Sequence, residues 1–240
     1  MGKIWIVCSG SGGVGKTSIA LSIAAGVAKA GKKSILLDAS GVSRSCDLIL
    51  GLESILALDM SDVISGQVGV NAAIYPVAQY GDMRLSCASL SGDVSISELS
   101  RAVLILNSMC DILVIDMPTG QASLGNGIMR NGDERLFVVR PDDASIRAVE
   151  RMVAQNPDDS AASSIILNRV SRNLIRRKTQ YSEEAVQNLL DMPMIACIPE
   201  DSSIPECERR NHAAIECDGP AWKVLSSLTQ MLLNASPNEE

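Results

Sequence analysis

Short aliphatic runs punctuate the chain at Ile4–Cys8, Ser34–Asp38, Met83–Ala88, Ile112–Asp116, Leu136–Arg140, Ile165–Asn168 and Met194–Ile198. Most lack hydrophobic/polar alternation, which predicts strands buried on both faces. Stretches with helical spacing lie between them, including Lys16–Ala30, Ser95–Met109, Ala144–Ala154 and Ser182–Leu190. Strand and helix alternating along the whole length predict an α/β fold, a doubly wound and mainly parallel sheet with helices on both faces. No Pro/Ser-rich linker or repeat interrupts the pattern, so residues 1–234 read as a single domain and 235–240 as a polar tail. A last helix, about Ala221–Leu233, places Trp222, Leu225, Leu228 and Leu232 on one face, predicted to pack on the core. Its single cation, Lys223, makes a membrane-surface role the weaker reading.

Composition narrows the function classes. With 46% apolar residues in 240, the chain can fold on its own core and is no disordered segment. One Phe, two Trp and three Tyr leave little for base stacking or an interfacial aromatic belt. The net charge of -7 disfavours strong nucleic-acid binding. Seven scattered cysteines without a C-x-x-C pair suit a reducing cytoplasm and read as buried filler, not metal ligands. No apolar run is long enough to span a bilayer, and neither a signal peptide nor a lipidation motif is evident.

The chemistry is concentrated in Gly10-Ser11-Gly12-Gly13-Val14-Gly15-Lys16-Thr17, which fits G-x-x-x-x-G-K-[ST] between a predicted strand and a predicted helix. In such a loop the backbone N–H groups and the helix N-terminus attract phosphate oxygens. Lys16 is the candidate ligand of the β- and γ-phosphates, and Thr17 of Mg²⁺. Ser18, the next helical residue, completes the nucleotide-binding set. Asp116 ends a second apolar strand ahead of Met117-Pro118-Thr119-Gly120, where a carboxylate can hold the hydration shell of Mg²⁺ opposite Thr17.

Together with Leu37-Asp38-Ala39-Ser40, Arg44 to Glu53, Val139 to Arg147, Leu167-Asn168-Arg169 and Ile198-Pro199-Glu200-Asp201, these motifs resemble the MinD branch of the MinD/ParA family of deviant P-loop ATPases. The resemblance covers about residues 1–234. It implies a P-loop sheet of seven or eight strands, ATP with Mg²⁺ at their carboxyl ends, and an ATP-dependent homodimer. It also implies a protein partner in the division or positioning machinery. Lys16, Asp38 and Asp116 are the implied catalytic residues, with Thr17, Asp38 and Asp116 around the metal. Asn168, Arg169, Pro199 and Asp201 are implied to surround adenine, although Asn168 could equally cap its strand. The stretch Asn168-Arg169-Val170-Ser171 lacks the Asp of a guanine-reading N-K-x-D, which favours ATP over GTP.

The chain departs from the family pattern at two positions. Ser11 stands where the family carries a second lysine that reaches the partner's phosphates, and Ser40 where it carries the second Asp of D-x-D. Both changes remove charge that hydrolysis uses, so weak or absent turnover is expected unless Arg44, Arg147 or another cation substitutes. A non-cycling scaffold of the same fold and a ParA-, pilus- or flagellar-type positioning ATPase are the alternatives. Nothing after Leu233 resembles the Lys-rich amphipathic end through which the MinD branch reaches membranes, so no membrane anchor of its own is expected. The basic run Arg169, Arg172, Arg176, Arg177, Lys178 reads as a solvated helix face, with an anionic partner as the other reading. His212, the only histidine, shows no acid–base partner in sequence and is expected at the surface.

Overall fold

The computed structural model describes residues 1–40, 45–88, 96–119, 132–155 and 162–235, apart from the side chains of 96–99. Arg44, Gly120 and most of the polar tail lie outside these residues. The strands are β1 (Lys3–Cys8), β2 (Ser34–Asp38), β3 (Tyr75–Pro76), β4 (Met83–Cys87), β5 (Ile112–Asp116), β6 (Glu134–Val139), β7 (Ala162–Val170) and β8 (Met194–Pro199). The described helices are α1 (Lys16–Lys29), α2 (Ser45–Leu50), α3 (Met60–Ile64), α4 (Ile96–Asn107), α5 (Asp143–Ala154), α6 (Arg172–Arg176), α7 (Glu183–Leu190), α8 (Ile204–Arg209) and α9 (Ala221–Ala235).

One eight-stranded sheet runs β3-β4-β2-β5-β1-β6-β7-β8. Every pairing is parallel except β3 with β4. The absence of alternation in β1 has the expected cause. Trp5 and Val7 enter a core shared with α1 and α9, while Ile4, Ile6 and Cys8 enter a second core shared with α4, α5 and α7. Burial on both faces demands apolar residues at both parities. Strand β3 escaped the hydrophobic pattern because it has two residues, one of them Pro76, a residue tolerated only at a sheet edge.

The strand order reverses at β1, with β5 on one side and β6 on the other, creating the crevice above the carboxyl ends where α/β sheets bind ligands. The parallel register pairs Asp38 with Asp116 and Asp116 with Val7, so two carboxylates end adjacent strands at the foot of that crevice.

The last helix corrects one expectation. Its core face is Ala221, Leu225, Leu228 and Leu232, whereas Trp222 is 38% exposed beneath the Lys223 ammonium, 5.8 Å from the ring centroid. Ala221 and Trp222 both lie about one turn before Leu225. The smaller side chain takes the position that approaches the core. Leu225→Ala is therefore expected to cost about 2–5 kcal/mol by leaving a cavity, and Trp222→Ala less, since more than a third of its side chain already faces water and it can be trimmed without opening the core. Urea unfolding of the two variants checks the contrast. No helix among the described residues is long and apolar enough to cross a membrane.

Candidate nucleotide site

The loop from β1 to α1 is shaped by close approaches that only glycine permits. A Cβ on Gly10 would lie 2.3 Å from the Ala148 carbonyl carbon and oxygen of α5, a backbone wall that cannot rotate away. Gly15 caps α1 at φ 91°, and a Cβ there would meet Asn168 Nδ2 at 2.3 Å. Gly10→Ala should cost about 1–3 kcal/mol, as for other overpacked sites. Differential scanning calorimetry and nucleotide binding on the same sample should both register the displaced loop.

The loop delivers Lys16 and Thr17 to Asp116. Lys16 Nζ lies 2.7 Å from Asp116 Oδ1, and Thr17 Oγ1 donates to Asp116 Oδ2 at 2.7 Å. Lys16 and Asp116 are 7% and 0% exposed. Burial pushes the Asp116 carboxyl above the usual range, Lys16 pulls it back, and Asp38 pushes it up again. Asp38, itself buried, accepts from Ser40 N at 2.9 Å, from the Ser40 hydroxyl, and from Cys46 N at 3.0 Å. The segment after β2 is thus tied to the sheet through one carboxylate.

Above these groups lies a cleft of about 400 Å³ lined by Ser9, Ser11, Gly13, Val14, Gly15, Lys16, Thr17, Ser18, Ser40, Ser45, Thr119 and Arg169. Most of the expected loop residues line it, and so do both serines that break the family pattern. Gly10, Gly12, Asn168, Pro199 and Asp201 do not, and neither do the buried carboxylates Asp38 and Asp116. Asn168 sits behind the loop, donating from Nδ2 to the Val14 carbonyl at 2.7 Å, so it braces the phosphate loop. Asp201 accepts from Ser203 N, the Ser203 hydroxyl and Ala221 N. Those hydrogen bonds outweigh the upward push of burial and hold its carboxyl below the usual range. Its Oδ1 is committed to Ser203, just ahead of α8, and its Oδ2 to the start of α9.

Four residues were not picked out as site residues by sequence reasoning. Ser9, Ser45 and Thr119 line the cleft, and Cys46 places its sulfur within 4.8 Å of carboxylate oxygens of Asp38 and Asp116. Only their positions, next to motif residues or just after β2, could have flagged them. Elsewhere, Cys8, Cys46, Cys87, Cys110 and Cys217 are buried as filler would be, whereas Cys197 and Cys207 are partly exposed. His212 lies at the surface, as expected, but it has a partner that the sequence did not suggest. It is about half exposed, and Nδ1 lies 2.8 Å from Glu216 Oε2, which also accepts from the Tyr80 hydroxyl at 2.8 Å. Arg172, Arg176, Arg177 and Lys178 are exposed on and just after α6.

Comparison with known proteins agrees with this geometry. The family described as CobQ/CobB/MinD/ParA nucleotide binding domain matches residues 5–215. The chain is similar to the septum site-determining protein MinD of Helicobacter pylori, with 28% identity over 244 residues, 97% of this chain and 91% of that protein. MinD of Buchnera aphidicola is 30% identical over 217 residues, 85% of this chain and 80% of that one. Among solved structures, the MinC:MinD cell division protein complex of Aquifex aeolicus matches with TM-score 0.89 and 26% identity, covering 99% of this chain and 98% of that chain. MinD of Pyrococcus horikoshii, complexed with Mg-ADP, shares the fold at TM-score 0.84 and 22% identity, with 100% of both chains covered. With its phosphate loop at the β1 crossover, Asp116 opposite Thr17 and these matches along nearly its whole length, the chain belongs to the MinD/ParA family of P-loop nucleotide-binding proteins, in its MinD branch.

Proposed function

We propose that this chain binds Mg-ATP in the β1–α1 cleft and serves as a nucleotide-dependent switch in placing the division site, with ATP hydrolysis weak or lost. Ser11 and Ser40 on the wall of the cleft that holds Lys16 and Thr17 support weak or lost hydrolysis. The family pattern has a lysine and an aspartate at these positions. Ser40 is moreover a donor to Asp38, through both its N–H and its hydroxyl. Its oxygen is engaged in holding that carboxylate and is no base near neutral pH.

The donors present suit the metal–nucleotide pair. Thr17 and Asp116 offer hard oxygen atoms side by side, the type that Mg²⁺ selects. When bound, Mg²⁺ would offset the charge of the β- and γ-phosphates. Lys16 would exchange Asp116 Oδ1 for phosphate oxygens, and the backbone N–H groups from Gly10 to Ser18 would cradle the rest. Arg169, on the β7 side, is the other cation lining the cleft among the described residues. It lies on the flank opposite Ser40 and Ser45, which follow β2 on the far side of β1, and so suits the nucleoside better than the missing charge near Ser40. Asn168 acts through the loop carbonyl it holds, and Asp201 through the start of α9.

The switch works through Asp38, because the Ser40 and Cys46 amides follow any change of charge at the foot of the cleft. An ATP-dependent homodimer fits the family, weakened by the loss of the lysine at Ser11. The MinC:MinD assembly of the Aquifex neighbour supports a division-machinery protein as the partner. Calorimetry with Mg-ATP and Mg-ADP, with sizing chromatography on the same samples, tests the switch. Dimers confined to Mg-ATP are expected, and monomers in both nucleotides overturn it.

A further inference from the structure

The foot of the cleft carries a donor that a magnesium–nucleotide site does not need. Cys46, from α2, lies where one sulfur and one oxygen each from Asp38 and Asp116 are all within 4.8 Å of one another, and all three residues are buried. We propose that Asp38, Cys46 and Asp116 form a binding site for a thiophilic divalent cation, with Zn²⁺ as the type case, in the nucleotide-free chain.

Three physical considerations favour it. First, the separation suits the ion: zinc holds sulfur at about 2.3 Å and carboxylate oxygen at about 2.0–2.2 Å, so small movements of these three side chains close a partial tetrahedron. Second, the donors select against the hard cation of the nucleotide reading, since thiolate sulfur favours zinc or cadmium over magnesium. Third, charge balances. Among the described residues, Lys16 is the one cation bonded to either carboxylate, so two buried anions share a single positive charge. With the thiol ionised, three anions meet Lys16 and one dication, and the sum is zero. Buried charge is tolerated when it is compensated in this way. On binding, the Cys46 S–H bond breaks, the sulfur donates its pair to the metal, and the proton leaves to buffer. No electron is transferred.

The proposal shares Asp38 and Asp116 with the nucleotide reading but needs no nucleotide. Its test is therefore run without ATP, and a failure there leaves Mg-ATP binding to be judged separately. The reduced full chain is titrated with ZnCl₂ against a chromophoric chelator, alongside Cys46→Ser, Asp38→Asn and, as a control at the other end of β5, Cys110→Ala. The unaltered chain and Cys110→Ala are expected to hold one zinc that Cys46→Ser and Asp38→Asn bind more weakly. The loss should exceed the roughly 10–100-fold typical of an outer-shell partner. Equal zinc affinity in the unaltered chain and Cys46→Ser overturns the site. Should those variants fold poorly, cadmium NMR of the unaltered chain decides. A resonance of one thiolate among oxygen ligands supports the site, and a multi-thiolate resonance or none overturns it.

Discussion

Restoring charge at Ser11 and Ser40 is expected to raise ATP turnover at least about 10³-fold over the unaltered chain, the lower end of what a cation supplied to phosphoryl transfer contributes. That factor corresponds to about 4 kcal/mol of transition-state stabilisation. The expectation concerns Ser11→Lys combined with Ser40→Asp, because the two positions do different work. Ser11 lies in the phosphate loop, where a lysine would meet charge developing on a phosphate. Ser40 lies across the cleft, beside Asp38, where a carboxylate would accept from water. Ser40→Asp retains the backbone N–H that Asp38 accepts, so the local fold keeps that anchor. Phosphate release at saturating Mg-ATP measures the gain. Each single variant should recover less than the pair. A doubly substituted protein that binds ATP yet turns over no faster would show that other features of the chain limit hydrolysis.

The second large effect concerns stability in the absence of nucleotide. Lys16→Met should destabilise the chain by about 3–5 kcal/mol at neutral pH, the usual cost of leaving one member of a buried pair uncompensated. Asp116 has no exposure through which to recover hydration, and Asp38 adds a second negative charge beside it. Adding Asp116→Leu should restore most of the loss, since apolar replacements of a buried pair are often neutral or better. The pH dependence follows from the direction of the Asp116 shift. Its native carboxyl binds a proton at higher pH than the unfolded chain does, so its stability contribution is lost as pH rises through the native pKa. Lys16→Met removes the main downward influence and widens that window. The single variant should thus regain stability on acidification, relative to the double one. Urea unfolding across pH measures both. Equal stability of Lys16→Met and the unaltered chain at neutral pH would contradict the pairing.

Features encoded locally were legible in the sequence. The phosphate loop is contiguous, and its flanking strand and helix follow from a change of period. Asp116 could be found because it ends an apolar run. The β2, β5 and α1 runs coincide closely with the structure because both faces of each strand are buried, which leaves little ambiguity of pattern. Features that depend on tertiary return were not legible. Cys46 meets Asp116 only because β2 and β5 pair in a register that aligns Asp38 with Asp116. Asp201 could be likened to a nucleotide contact, yet its partner Ala221 comes from the start of a later helix. His212 and Glu216 stand four residues apart, but the intervening short 3-10 turn over Ala214–Glu216 gave no helical period to suggest that they meet. Trp222 was ambiguous for a different reason: its position and that of Ala221 are both compatible with the Leu225 face, and only packing against the core separates them.

Binding without turnover is tested most directly by phosphate release from the purified, unaltered chain with Mg-ATP at a concentration shown by calorimetry to saturate it. The bound nucleotide is expected to be recovered as ATP, with release indistinguishable from that of Lys16→Met. Sustained turnover matching that of the Ser11→Lys, Ser40→Asp variant would contradict it.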